Sequence, residues 1–230
     1  MTSIAVFGAA GRAGRAVTAE AHRRGHRVTP VVRDPARHPD LTAAVRGDIT
    51  DPEAVASIGH GHDAVVHAVS PASGPEALAA AGLDPEFFVR AADALLHGLA
   101  RSGVPRLVAI GLFATLTDAH GGPLHDDPAV LPAALRPFAL THAAGLDRLR
   151  AADTTVDWLV LTPPAALAVD GARSGRYRLG GEQAPESAHL SYADLAVAVV
   201  DEIESPRHHR TRLSVFADAH EPIRAPTLAR

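Results

Sequence analysis

The segment Gly8-Ala9-Ala10-Gly11-Arg12-Ala13-Gly14 constrains this chain more than any other. It follows an apolar run, Ser3 to Phe7, and opens an amphipathic stretch from Arg12 to Arg24 that Gly25 closes. It therefore reads as the turn between a buried strand and a helix. In that position the three glycines have separate tasks. Gly8 permits a tight turn, Gly11 lets backbone approach a ligand, and Gly14 allows the helix to pack closely on the strand. The helix N-terminus adds unpaired N–H groups and a partial positive charge, both suited to phosphate. The loop thus predicts a dinucleotide pyrophosphate held by Gly8, Ala10, Gly11, Arg12, Ala13 and Gly14.

The rest of the chain alternates in the same way. Strands are expected at Arg27–Val32, more weakly at Ala43–Arg46, then at Asp63–Val69, Arg106–Ile110 and Val156–Leu161. Helices are expected from Asp51-Pro52-Glu53 onward, with Asp51 as N-cap, and at Asp84–Arg101 and Ala134–Ala152. The segment Gly111–Ala133 reads as a loop. A short strand at Arg176–Leu179, a helix at Tyr192–Ile203 capped by Ser191, and a strand at Thr211–Phe216 close the chain. Alternation of this kind predicts an α/β fold, a Rossmann-like doubly wound parallel sheet covered on both faces. Residues 1–161 would form the cofactor-binding core of one domain, and residues 162–230 a small C-terminal substrate-side lobe with the closing strand.

Composition removes several classes. With 230 residues, 47% hydrophobic and 21% charged, the chain has the balance of a soluble globular domain. A net charge of -4 without a basic stripe argues against nucleic acid as partner. Absence of cysteine excludes thiolate nucleophiles and sulfur-ligated zinc. No apolar run reaches the ~20 residues that cross a bilayer, so a cytoplasmic monomer or homodimer acting on a small molecule is expected. His120 and His125 with Asp126 and Asp127 match no established ligand spacing, and no metal is expected.

The end of the second strand bears on the choice of cofactor. An NAD site usually places an acid there for the ribose 2′-hydroxyl. Here Val32 is followed by Arg33, which can face a 2′-phosphate, with Arg12 as a second cation. NADP(H) is the expected cofactor. Asp34 keeps NAD(H) as the alternative, since a small rotation would present its carboxylate. Asp48 and Ile49 would meet the adenine, although Asp48 equally suits a turn. Ala68, Val69 and Ser70 leave the fourth strand beside the crevice, and Gly111, Thr162 and Pro163 follow the fifth and sixth.

With these motifs the chain resembles the atypical short-chain dehydrogenase/reductases, in particular the NmrA-like group that includes candidate NADH-flavin reductases and relatives of flavin/biliverdin reductase. The likeness runs through the Gly8–Gly14 loop, Val32-Arg33-Asp34-Pro35, Gly47-Asp48-Ile49-Thr50-Asp51 and the stretch from Val156 to Pro164. It continues in Ser174-Gly175-Arg176-Tyr177-Arg178-Leu179-Gly180, Ser191-Tyr192-Ala193-Asp194-Leu195-Ala196 and His208 to Arg212. The resemblance implies a Rossmann fold, NADP(H) and hydride transfer to a flavin-like acceptor.

Carbonyl-reducing members of the wider family use a Tyr and a Lys four residues apart on a helix. The best match here is Phe138 and His142. Phe138 has no proton to give, and His142 is a pH-dependent substitute for a fixed cation. Tyr177 and Tyr192 fall too late in the chain to replace it. Chemistry carried by the cofactor itself is left, with His142 and Thr115 as candidate catalytic side chains. Leu112 and Phe113 stand where smaller residues are expected, which predicts a narrowed pocket. Three readings follow: an NADPH-dependent reductase of a flavin, quinone or similar conjugated acceptor; a non-catalytic NADP(H) redox sensor acting through a protein partner; or a biosynthetic ketoreductase or epimerase with a rebuilt site.

Overall fold

The computed structural model describes residues 1–71, 82–186 and 188–217. Residues 187 and 218–230 of the expected C-terminal lobe lie outside the described residues. Strands β1 (Ser3–Phe7), β2 (Arg27–Val32), β3 (Val45–Arg46), β4 (Ala64–His67), β5 (Arg106–Ile110) and β6 (Asp157–Thr162) alternate with helices. They are joined by β10 (Thr211–Phe216) and β8 (Arg178–Gly180) in an eight-stranded sheet of order β3-β2-β1-β4-β5-β6-β10-β8. All neighbours are parallel except β8, which runs antiparallel to β10. This is the doubly wound Rossmann-like sheet expected from the sequence.

The helices are α1 (Arg12–Arg23), α2 (Pro52–Gly59), α3 (Phe87–Ser102), α4 (Arg136–Ala151) and α5 (Tyr192–Glu204). α1 and α5 pack together over one face, where Ile4, Val6, Val17, Leu159, Leu161 and Leu195 form a core. α2, α3 and α4 cover the other, around Phe7, Val65, Leu95, Leu107, Trp158 and Val160. Coverage of both faces explains why β1 is buried at every position, apolar from Ile4 onward, and shows no alternation. The strand order reverses beside β1, between β2 and β4, and a crevice opens there at the strands' carboxyl ends.

Local signals account for most boundaries. Asp51 accepts from the Glu53 N–H at 2.9 Å and caps α2, with Pro52 at its first position. Ser191 accepts from the Asp194 N–H at 2.9 Å and caps α5. Five expectations need correction, the first being the helix expected from Asp84, which begins at Phe87 as α3. The third strand starts at Val45, because Ala43 has φ of 58° and leaves the extended region. α4 begins at Arg136 and not Ala134, which keeps Pro137 in the first turn, where its missing N–H costs nothing. The short strand expected at Arg176–Leu179 is Arg178–Gly180, the stretch that pairs with Ser214 to Phe216. The Gly111–Ala133 segment contains 3₁₀ turns at Phe113–Thr115 and Leu124–Asp126 and is tied down by Leu124 N–H to the Leu116 carbonyl, at 2.9 Å. A two-stranded sheet of β7 (Ala166–Ala168) and β9 (His189–Ser191) was not anticipated.

Candidate functional site: the dinucleotide crevice and an aromatic pocket

The glycine loop lies between β1 and α1 at the switch point. Gly8 has φ of 84°, and a Cβ there would meet the Ala68 carbonyl oxygen at 2.5 Å, so it must be glycine on both counts. A Cβ on Gly14 would lie 2.2 Å from the Gly8 carbonyl oxygen, which forces α1 against the loop only if the side chain is absent. Gly11 is looser, with its nearest such contact at 3.3 Å. Gly11 also caps α1; no side chain accepts from the helix's first N–H groups, and no acid lies in its first turn. Ala10 and Ala13 flank this uncapped end with small side chains. Open donors, a helix dipole and a cradle that a Cβ would fill suit the pyrophosphate of a dinucleotide.

At the end of β2, Asp34 accepts from the Ala36 N–H at 3.2 Å and caps the 3₁₀ turn Pro35–Arg37. The carboxylate is exposed, with one oxygen engaged in this turn. Arg33 is exposed, and so is Arg46, which lies in register with Val32 on β3. The guanidinium groups of Arg12, Arg33, Arg37 and Arg46 have no hydrogen-bond or ion-pair partner among the described residues. Arg37 and Arg46 escaped the sequence reading because their relation to Arg33 depends on a turn and on strand pairing. Asp48 takes the turn role, accepting from the Thr50 N–H at 2.9 Å and the Thr50 hydroxyl at 2.8 Å. Ile49 is buried beside it in the core that includes Phe7 and Val31.

Beyond β4, on the face covered by α3 and α4, a cavity of about 40 Å³ is lined by His67, Phe88, Ala109, Gly111, Leu112, Thr115, His142, Gly145 and Arg212, among others. Its wall is aromatic. The His142 ring lies 3.6 Å from that of Phe88, centroid to centroid, tilted by 33°. Phe138 meets His142 edge-on at 4.8 Å, as the four-residue spacing on α4 allows. Gly145, one turn on, makes room for Phe88, since a Cβ there would sit 2.6 Å from the Phe88 Cβ. Burial, and then the neighbouring His67, push the His142 pKa down to about 3. Burial alone pushes His67 down to about 4. Both rings are neutral at neutral pH.

Thr115 is buried in the same wall, but its hydroxyl donates to the Leu112 carbonyl at 2.8 Å and accepts from Arg212 Nη1 at 3.0 Å. Arg212 also donates to the Thr115 carbonyl at 2.6 Å and pairs with Glu182. Thr162 is fully buried with an unpartnered hydroxyl; a Cβ on Gly111 would lie 2.4 Å from it. Pro163 is buried next to it, and Ala68, Val69 and Ser70 line the exit from β4. Tyr177 donates to Asp201 at 2.8 Å and packs, like Tyr192, against the α1/α5 core on the opposite face. The sequence contains no lysine. No Tyr/Lys pair can therefore be assembled over this cavity from the described residues.

Two shared motifs turn out to be structural. Asp194 accepts from the Ser174 N–H, the Gly175 N–H at 2.8 Å and the hydroxyls of Ser174 and Ser191, tying the 174–175 turn to the start of α5. At the opposite end of the sheet, Arg106 bridges Asp157 at 2.7 Å and Glu202 at 3.0 Å, and His208 and His209 pair with those carboxylates. No group of three or more metal-ligating side chains occurs among the described residues, and His125 instead hydrogen-bonds the Ala114 carbonyl at 3.1 Å. No helix among the described residues is long and apolar enough to cross a membrane.

A reversing parallel sheet with a glycine turn and an uncapped helix at the switch point defines a dinucleotide-binding Rossmann protein. The chain belongs to the NAD(P)H-binding family, whose profile matches residues 8–206, and its cofactor is a nicotinamide dinucleotide. This agrees with the resemblance to atypical short-chain dehydrogenase/reductases. The uncharacterized protein YwnB of Bacillus subtilis (strain 168) is 32% identical over 223 residues, 94% of this chain and 99% of YwnB. The crystal structure of a candidate exported protein from Burkholderia pseudomallei shares 34% identity with a TM-score of 0.78, over 94% of this chain and 100% of that one. A candidate NADH-flavin reductase from Streptococcus pneumoniae TIGR4 shares 27% identity with a TM-score of 0.77, over 95% and 100% of the two chains.

Proposed function

We propose that this protein is an NADPH-dependent oxidoreductase that delivers hydride to a flat conjugated acceptor, such as a flavin or quinone, without a Tyr/Lys pair. The observation that carries this reading is the pocket beside the carboxyl ends of β4, β5 and β6. It is lined by Phe88, His142 and His67, with Phe138 packed behind the first two, and contains no carboxyl, phenol or amine to protonate an alkoxide. The similarity to a candidate NADH-flavin reductase supports the same class of acceptor. When bound, the nicotinamide supplies the hydride.

The chain's own residues bind and position. Gly8, Ala10, Gly11, Ala13 and Gly14 hold the pyrophosphate, and Ala68, Val69, Ser70, Gly111, Thr162 and Pro163 leave room for the nicotinamide half. Arg33, with Arg12, Arg37 and Arg46 nearby in the fold, meets the 2′-phosphate. Asp34 has one oxygen engaged in its own turn, which leaves the exposed guanidiniums as the dominant charge at this end of β2. The stacked Phe88 and His142 rings form an apolar wall against which the edge of the acceptor rests, while Thr115 and Arg212 brace the wall beside it.

The test is a pair of affinities and a panel of acceptors. Charge-assisted contacts of ~1.5–3 kcal/mol predict NADPH binding about tenfold to a hundredfold tighter than NADH, lost in Arg33→Ala with NADH affinity unchanged. NADPH oxidation should proceed with FMN or a quinone and not with a simple ketone. Equal affinities would return the cofactor to NADH. Tight binding without turnover of any acceptor would replace the reductase with a non-catalytic sensor.

A further inference from the structure

His67 was read in the sequence only as part of a buried strand. It is the last residue of β4, in register with Phe7 on β1, which leads into the glycine loop, and with Ala109 on β5, which leads to Gly111. It therefore stands between the two loops that flank the nicotinamide half of the crevice. The side chain is buried, 8% exposed, and its ring lines the 40 Å³ cavity opposite Phe88, at 6.2 Å between centroids.

The Val69 N–H donates to His67 Nδ1 at 3.2 Å. Nδ1 is then the acceptor nitrogen, and a neutral ring must carry its proton on Nε2. That N–H has no partner among the described residues. The ring lines the cavity, so a donor left without a protein partner there is a seat for a ligand atom or an ordered water. Of the other polar groups of the wall, the His142 ring nitrogens make no hydrogen bond among the described residues, but that ring is stacked on Phe88. Thr115 spends its proton on Leu112, and Arg212 spends both terminal nitrogens on Thr115 and Glu182, with Nε alone left over. A 40 Å³ space admits about three water-sized groups, so the polar edge of a ring enters and the whole ring does not.

We propose that His67, held as its Nε2–H tautomer by Val69, is a hydrogen-bond donor to the acceptor's conjugated carbonyl oxygen or ring nitrogen, the atom that becomes negative as hydride arrives. This rests on the reductase reading and names the chemistry of its acceptor: a flat, uncharged ring system with a carbonyl or imine-type nitrogen conjugated to the carbon or nitrogen that takes the hydride. The reduced nicotinamide loses a hydride and becomes the oxidised cofactor. The acceptor gains that hydride and one unit of negative charge, and a proton from solvent neutralises it, so one proton is consumed per turnover. His67 donates a hydrogen bond throughout and never gives up its proton. A donor aimed at developing charge in a place shielded from water is the arrangement that contributes most to such steps. The low basicity of the buried ring agrees with this, because a cationic imidazole would instead titrate during the cycle.

The experiment combines nitrogen-15 NMR of the histidines with kinetics of His67→Phe and His67→Gln. In the NADP+ complex the His67 ring should show the Nε2–H tautomer from pH 5.5 to 8.5, and menadione or FMN should shift its Nε2 resonance. His67→Phe should lower kcat about a hundredfold with NADPH affinity within twofold of wild type, which also shows that the variant is folded. His67→Gln, whose amide can still donate, should recover most of that loss. An Nδ1–H tautomer, an Nε2 resonance unmoved by both acceptors, or a Phe variant with kcat within threefold of wild type each overturns the proposal. An Nε2 shift in a wild-type protein that turns over neither acceptor supports the donor and sinks only the reductase reading.

Discussion

Replacing Glu20 with glutamine keeps the shape of the side chain and removes one buried charge. Glu20 lies on α1 with its side chain 3% exposed, and its carboxylate accepts from Arg23, Arg24 and Arg173 at distances of 2.6 to 3.0 Å. Arg24 reaches on to Asp201 and Glu204, both at 2.6 Å, so the cluster joins α1 to α5 and to the 173 turn. Removing one partner of a buried ion pair costs ~3–5 kcal/mol, because the other is stranded. Here Arg23 is 52% exposed and Arg173 35%, so both regain water, and Arg24 keeps two carboxylates. The expected loss is therefore at or just below the bottom of that range, about 2–3 kcal/mol. At ~2–4 °C per kcal/mol for a chain of this size, Tm should fall by about 4–12 °C. The pH dependence follows from the carboxyl's own titration. Burial raises its pKa, but the hydrogen bonds from Arg173, Arg23 and Arg24 outweigh it and hold it well below the ordinary 4.5. A depressed carboxylate stabilises the fold above its unfolded pKa and loses that contribution as pH falls through the folded one. Urea denaturation at pH 7, 5 and 3 should show wild type and Glu20→Gln furthest apart at pH 7 and converging toward pH 3. A gap below about 0.5 kcal/mol at pH 7, or one that persists undiminished at pH 3, would refute the reasoning.

His67 gives the opposite end of the pH scale. Its pKa is lowered to about 4 by burial, so the unfolded chain binds the proton first and stability declines as pH falls from about 6.5 toward 4. His67's share of the slope should approach ~1.4 kcal/mol per pH unit in urea titrations, so the slope should drop by that amount in His67→Phe while the share of His142 remains; parallel curves for the two proteins would contradict it. In the glycine loop, Gly14→Ala must displace backbone 2.2 Å away and should both destabilise the protein and abolish NADPH binding. Gly11→Ala, whose contact is 3.3 Å, should leave Tm within about 2 °C while weakening NADPH roughly tenfold, as followed by nucleotide fluorescence; equal Tm losses in the two variants would show that Gly11 is structural.

The features legible in the sequence were those written into short stretches of chain. The glycine turn, the two-sided burial of β1 and the caps at Asp51 and Ser191 each depend on residues within one turn of one another. What escaped depends on pairing across the chain. β7 and β9 are three residues each and exist only because Ala166–Ala168 meets His189–Ser191. Arg46 joins Arg33 through the β2–β3 register, and Asp194 acquires its role from donors twenty residues earlier. His67 ends an apolar run, where a histidine looks like one more buried residue. Only the Val69 N–H and the cavity set it apart.

The clasp around Glu20 has a consequence for the order of folding. The helix that opens the dinucleotide loop is made within the first 25 residues of synthesis, yet its buried carboxylate is matched by Arg173 and, through Arg24, by Asp201 and Glu204. These partners lie 153 to 180 positions further along the chain. On a ribosome adding ~5–20 residues per second, α1 waits roughly ten seconds or more for them, with the apolar side meant for α5 uncovered. Cofactor competence is thus acquired late, when the last helix docks, although the loop that confers it is among the first segments to emerge.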